Sequence, residues 1–83
     1  MITIRYFASL REQLKCDSEE LSWQDDFSTV ADIKKYLTTK DQYRQSALTD
    51  NTVLIAVNQQ MVNESDTIHD GDEVAFFPPV TGG

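Results

Sequence analysis

Only one stretch of this chain carries a strong amphipathic-helix signal, and it stands among segments patterned for strands. Val30, Ile33 and Leu37 recur at helical spacing, with Lys34 and Lys35 predicted to turn outward. Ser28 and Thr29 precede them with hydroxyls able to accept orphan backbone N–H groups, and Asp32 complements the positive end of the helix dipole. A single apolar helical stripe is satisfied by one face of one sheet, so the expected architecture is α+β, with one principal helix lying across a mixed sheet. The chain has 83 residues, enough for one core but not for a catalytic domain beside a separate binding domain.

The strand signals come at both ends and in the middle. Ile2, Ile4 and Tyr6 alternate with Thr3, Arg5 and Phe7, the period of a half-buried strand, and Phe7 is the one large apolar residue on the polar parity. Residues 8–15 favour a short helix with Leu10 and Leu14 inward. Residues 19–23 are predicted to be a second strand, with Leu21 and Trp23 on one parity, ended by Gln24-Asp25-Asp26. Residues 40–48 are predicted as a short helical turn inside a connection, weakly anchored by Tyr43, Ala47 and Leu48. Residues 53–57 are apolar on both parities, which suits an interior strand. Asn58-Gln59-Gln60 reads as a tight turn into a short strand around Met61 and Val62. Asp70-Gly71-Asp72 is a further turn, and residues 73–77 form a last strand with Val74 and Phe76 opposite in parity to Ala75 and Phe77.

Charge and residue counts exclude several functions. Seven Lys and Arg against fourteen Asp and Glu leave a net charge of −7, the wrong sign for a phosphate backbone, so no nucleic-acid partner is expected. The longest aliphatic run, at 53–57, is far short of the roughly 20 residues of a membrane helix, so no membrane partner is expected either. The single cysteine, Cys16, has no internal disulfide partner, which together with the strand-like start predicts a cytoplasmic protein. Three glycines, at 71, 82 and 83, cannot write a phosphate-cradling loop. His69 is the only histidine and lies in a turn, where a solvated role is expected rather than metal binding or a nucleophile's base. Cys16 has only Lys15 nearby to activate it, and the acids fall in turns and on polar faces, where solvation is their ordinary state.

The C-terminal stretch Phe76-Phe77-Pro78-Pro79-Val80-Thr81-Gly82-Gly83 carries the functional signal. Two prolines fix φ and remove two N–H donors, so they end the last strand's pairing and hold the chain extended. At roughly 3.3 to 3.6 Å per residue, 78–83 reaches about 20 Å, and its last two residues have no side chains. Such an end fits a narrow channel, which makes the free carboxylate of Gly83 the candidate reactive group, with 1–77 as the body. Ordering the tail inside a partner costs about 1 to 2 kcal/mol of backbone entropy per residue, so the body has to supply the grip. Phe7 and Phe77 both fall on the sheet face opposite the helix, and they form an apolar docking patch if the first and last strands are neighbours; Met61 extends it.

These residues resemble the small, sulfur-carrying subunits of molybdopterin synthase, the MoaD type within the ubiquitin-like sulfur carriers. The resemblance spans essentially the whole chain. It is carried by Ile2-Thr3-Ile4-Arg5-Tyr6-Phe7-Ala8 with Leu10-Arg11-Glu12, by Ala56-Val57-Asn58-Gln59, and most specifically by Asp70-Gly71-Asp72-Glu73-Val74-Ala75 followed by the C-terminal stretch above. Residues 40–51 match poorly. The resemblance implies a β-grasp fold with the first and last strands parallel and central. It implies that the chain is not an enzyme alone but the sulfur-donating subunit of one, binding no cofactor or metal itself. An E1-like adenylating enzyme of the MoeB type, using ATP with Mg, would activate the Gly83 carboxylate as an acyl-adenylate. A sulfur donor protein would then supply the sulfur of a thiocarboxylate. The tail, Pro78, Pro79, Val80, Thr81 and Gly82 leading to Gly83, would enter the large subunit, MoaE type, in a heterotetramer. There it would give sulfur to cyclic pyranopterin monophosphate to build the molybdopterin dithiolene. By the same resemblance Phe7, Met61 and Phe77 fall on the docking surface. Two other functions use the same features: a related carrier for thiamine synthesis or tRNA thiolation, or a modifier joined to lysines. A β-grasp binding module with an incidental tail is the alternative of a different class.

Overall fold

The computed structural model describes residues 1–50 and 52–79. The chain folds as β1 (Ile2–Tyr6), α1 (Ser9–Leu14), β2 (Ser18–Leu21), α2 (Val30–Thr38), α3 (Gln42–Leu48), β3 (Leu54–Val57), β4 (Gln60–Val62) and β5 (Glu73–Phe77). The strands make one mixed sheet in the order β2-β1-β5-β3-β4. β1 and β5 are parallel neighbours in its interior, with Ile4 opposite Val74 and Tyr6 opposite Phe76, and the remaining pairs are antiparallel. This is the β-grasp plan: the two ends of the sequence pair at the centre, and the helical segments between them cover one face.

Strand parity decides which side chains that face buries. Ile2, Ile4, Tyr6, Val74 and Phe76 are at most 2% exposed and meet Val30, Ile33 and Leu37 of α2, which are wholly buried. Each such side chain contributes about 1.5 to 3 kcal/mol, so this apolar layer dominates the stability of the body. The start of α2 differs in detail from the expected cap. The Asp32 carboxylate, not a hydroxyl, accepts the N–H groups of Ser28 and Thr29, both at 2.9 Å. The next donors, Val30 and Ala31 N–H, go to the carbonyls of Asp66 and Glu64 at 3.0 and 2.9 Å. Lys34 is mostly covered rather than turned outward, its Nζ lying 3.1 Å from Glu64.

Two further expectations need correction. β2 ends at Leu21, and Trp23 leaves the sheet to pack edge-on against Phe27, which packs edge-on against Tyr36. Residues 42–48 form a full helix rather than a short turn, and it packs on α2. Ala47 and Leu48 are its buried anchors, as expected, while Tyr43 is 64% exposed. What else holds α3 is polar. The Glu19 carboxylate of β2 accepts from Tyr6 Oη at 2.8 Å, from Arg44 Nη2 at 2.7 Å and from Lys40 Nζ at 2.7 Å, and Arg44 also reaches Asp41 at 2.5 Å. Burial pushes the Glu19 carboxyl up, but the hydrogen bonds from Lys40, Tyr6 and Arg44 and the Arg44 charge outweigh it and hold Glu19 below its ordinary value. Burial chiefly, with the Glu19 bond, raises the Tyr6 hydroxyl far above its own, keeping it a neutral donor.

The turns follow the sequence. Asn58 and Gln59, with φ of 50° and 69°, form the two-residue loop between Val57 and Gln60. The Asn58 side chain then ties this hairpin to β5, donating to Asp72 and accepting from Glu73 N–H. Gly71 has φ of 96°, a conformation that only glycine adopts without strain.

Candidate functional site

The sheet face away from the helices should be polar if it only meets water, and at one end it is not. Phe7, one residue beyond β1, stacks on Phe77 with ring centroids 4.8 Å apart and planes 9° apart. Because β5 pairs with β1 on one side and β3 on the other, Phe77 also lies opposite Leu54, and Ala75 opposite Ala56, which in turn faces Met61 on β4. Ala56 and Ala75 are 4% and 6% exposed although they point away from the core layer, so they form the floor of an outer apolar patch. Leu54 and Met61 are 39% and 60% exposed at its rim. A groove of about 390 Å³ opens there, lined by Ala8, Leu54, Met61, Phe77, Pro78 and Pro79.

The structure therefore brings Phe7, Met61, Phe77, Pro78 and Pro79 to one place. Val80, Thr81, Gly82 and Gly83 lie outside the described residues. Leu54 was not singled out by sequence. The available signal was its parity, shared with Ala56 in a strand apolar on both faces, which marks a second covered face without saying by what.

The patch sits at the end of the last strand. β5 ends at Phe77, whose successor Pro78 cannot donate to a ladder. Ala8 has φ of 53° and ψ of −128°, a strained conformation for a residue with a Cβ, and it turns the chain sharply after Phe7 into α1. Large exposed apolar areas on small proteins mark protein contacts, and Pro78 and Pro79 line this one.

The other candidate groups have local roles. Cys16 is half-buried against the core, its thiol 3.4 Å from the Ser18 carbonyl. The His69 ring is 76% exposed with Nδ1 3.9 Å from Asp72. Asp41, Asp50, Asp66 and Asp72 accept backbone N–H groups of Arg44, Thr52, Asn63 and His69 at 2.8 to 2.9 Å, so these acids shape turns and a helix start. Among the described residues no group of three or more His, Cys, Asp or Glu is placed to hold a metal ion, and no helix is long and apolar enough to cross a membrane.

Comparison with known proteins decides the family. Residues 4–83 match the model of the ThiS family. The chain belongs to the ThiS family. The molybdopterin synthase sulfur carrier subunit of Escherichia coli (strain K12) is 42% identical over 83 residues, all of both chains, and that of Haemophilus influenzae is 37% identical over the same full span. The crystal structure of SAMP1 from Haloferax volcanii has a TM-score of 0.83 at 25% identity, covering 99% of this chain and 98% of that one. Within the ThiS family this chain thus groups with molybdopterin synthase sulfur carriers, and its ubiquitin-like β-grasp body is shared with SAMP1.

Proposed function

We propose that this ThiS-family protein is the sulfur carrier subunit of a molybdopterin synthase, with residues 1–77 as body and 78–83 as working tail. The observation that carries the reading is the apolar patch of Phe7, Leu54, Met61 and Phe77 beside Pro78 and Pro79, which follow the end of β5. The full-length likeness to molybdopterin synthase sulfur carriers supports it independently.

The chemistry follows from the terminus. A carboxylate is a poor acyl donor because its oxygen is a poor leaving group. In the proposed cycle an adenylating enzyme lets a Gly83 carboxylate oxygen attack the α-phosphorus of ATP·Mg, releasing pyrophosphate and forming the acyl-adenylate. Sulfur at the sulfide level, supplied by a donor protein, attacks the acyl carbon, AMP departs with the former carboxylate oxygen, and a thiocarboxylate is left. The body docks on the large subunit, the thiocarboxylate sulfur of the tail bonds to the pterin precursor, and water then cleaves the acyl–sulfur bond, leaving the sulfur on the pterin and regenerating the carboxylate. The chain alone is thus a protein cosubstrate rather than an enzyme, and the pterin pocket belongs to the large subunit. That pocket holds a phosphate and is expected to be basic, so a net charge of −7 on the carrier speeds encounter.

Complementation tests this reading against related carriers. The chain is expected to restore molybdoenzyme activity in a strain lacking its own molybdopterin synthase small subunit, and to lose that ability when Gly82 and Gly83 are removed. Rescue of a thiamine or tRNA thiolation defect in its place moves the chain to another branch of the family. Full activity of the truncated form makes the tail incidental.

A further inference from the structure

We propose that Arg5 is a specificity-determining residue of the docking face, read by a carboxylate on the large subunit that receives the tail. The inference rests on the docking role given above to Phe7 and Phe77. Parity places Arg5 on the outer face, opposite Ala75 of β5, and its guanidinium carbon lies 5.4 Å from the centre of the Phe7 ring. Of the other six basic side chains, Lys34 is committed to Glu64 at 3.1 Å, Lys40 and Arg44 to Glu19 at 2.7 Å, and Arg11 to Asp17 at 3.6 Å beside α1, while Lys15 and Lys35 belong to the end of α1 and to α2, away from this patch. Among the described residues the one ion pair of Arg5 is with Glu73, at 4.0 Å the longest of them, and its side chain is 49% exposed.

Apolar burial is non-directional, so the aromatic patch alone fixes no register with a partner. A planar guanidinium held against Phe7 is pre-organised, and donors that Glu73 does not take remain for an incoming carboxylate. On a chain of net charge −7, one loosely held cation at the edge of the apolar patch is a landmark that general steering cannot supply. A carboxylate beside the pocket that seats Phe7 would pair with Arg5 only in the correct orientation.

The test is titration of the full chain with the large subunit of its own molybdopterin synthase, at low and at high salt. Arg5→Glu is expected to weaken binding about tenfold or more at low salt, because charge reversal sets like charges together. That loss shrinks as salt rises, Arg5→Lys keeps part of the affinity, and Glu73→Gln leaves it unchanged or tighter. Phe77→Ala is the control for the docking face. If Phe77→Ala weakens binding while Arg5→Glu stays within about twofold of the unaltered protein, the Arg5 inference is overturned and the docking face stands. If neither weakens it, the docking role fails and the inference with it. Equal drops in melting temperature for Arg5→Gln and Glu73→Gln, with neither moving affinity, also overturn it by making the pair purely internal.

Discussion

Phe7 and Phe77, seventy positions apart in the chain, stack at 4.8 Å on the face of the sheet that no helix covers. The contact exists because the first and last strands are parallel neighbours, and it adjoins the two prolines that end the sheet. In the proposed function, grip and delivery are thus assigned to adjoining residues.

Phe77→Ala is expected to weaken association with the large subunit by about 1 to 2 kcal/mol, or roughly five- to thirtyfold in Kd. Losing the internal stack costs about 0.5 to 1.5 kcal/mol of fold stability. Calorimetric titration and thermal melting check the two effects separately, and unchanged affinity counts against the docking face.

Arg44→Ala removes a partner from the mostly covered Glu19, and is expected to destabilise the body by about 1 to 3 kcal/mol in urea unfolding. An effect within about 0.5 kcal/mol means the network is ornamental and α3 is held by Ala47 and Leu48 alone.

Acid should unfold the protein partly through Glu19. Its folded pKa is depressed, so its contribution is present above the unfolded value of about 4.3 and is lost as pH falls through the folded value. Asp32, Asp41 and Asp50 are lowered too: Asp32 and Asp41 mainly by backbone N–H bonds, Asp50 first by the Thr52 hydroxyl and then by its N–H, and they act in the same direction. Stability is expected to fall as the pH drops from about 5 through the lowered folded values of these groups. Glu19→Gln should be less stable at neutral pH with a flatter acid profile; parallel profiles would contradict this.

Gly71→Ala meets no neighbouring atom within 4 Å, so its cost comes from φ alone. A loss of about 1 to 2 kcal/mol is expected in denaturant unfolding, with no change in partner affinity.

Those positions that periodicity addresses were legible in the sequence. Alternation in 2–6 and 73–77 assigned the buried parity correctly, and it placed Phe7 and Phe77 on the outer face. The helical stripe of Val30, Ile33 and Leu37 did the same for α2. α3 was underestimated because part of its anchoring is ionic. Glu19 and Arg44 lie 25 positions apart, and no local pattern pairs them. Trp23 was misplaced because a strand and an aromatic cluster both want an apolar residue there, and the edge-on contact with Phe27 takes it out of the sheet. Asp32 as the α2 cap was half legible, since dipole complementarity named the residue but credited the hydroxyls with its hydrogen bonds. Leu54 escaped because an apolar run states that both faces are covered, not which side chain is left at a rim.

The proposed reactive group is the carboxylate of Gly83, so one residue appended after it is expected to abolish sulfur transfer while leaving the fold and the melting temperature unchanged. Sulfur transfer by the extended chain at the normal rate would remove the terminal mechanism.

The most direct measurement is the intact mass of the protein after incubation with an adenylating enzyme, ATP·Mg and a sulfur donor. Replacement of one oxygen by one sulfur, located at Gly83 by fragmentation and lost again on incubation with the large subunit and the pterin precursor, is the expected result. An unchanged mass under conditions in which a control carrier gains sulfur would contradict the assignment of the terminus as the sulfur-carrying group.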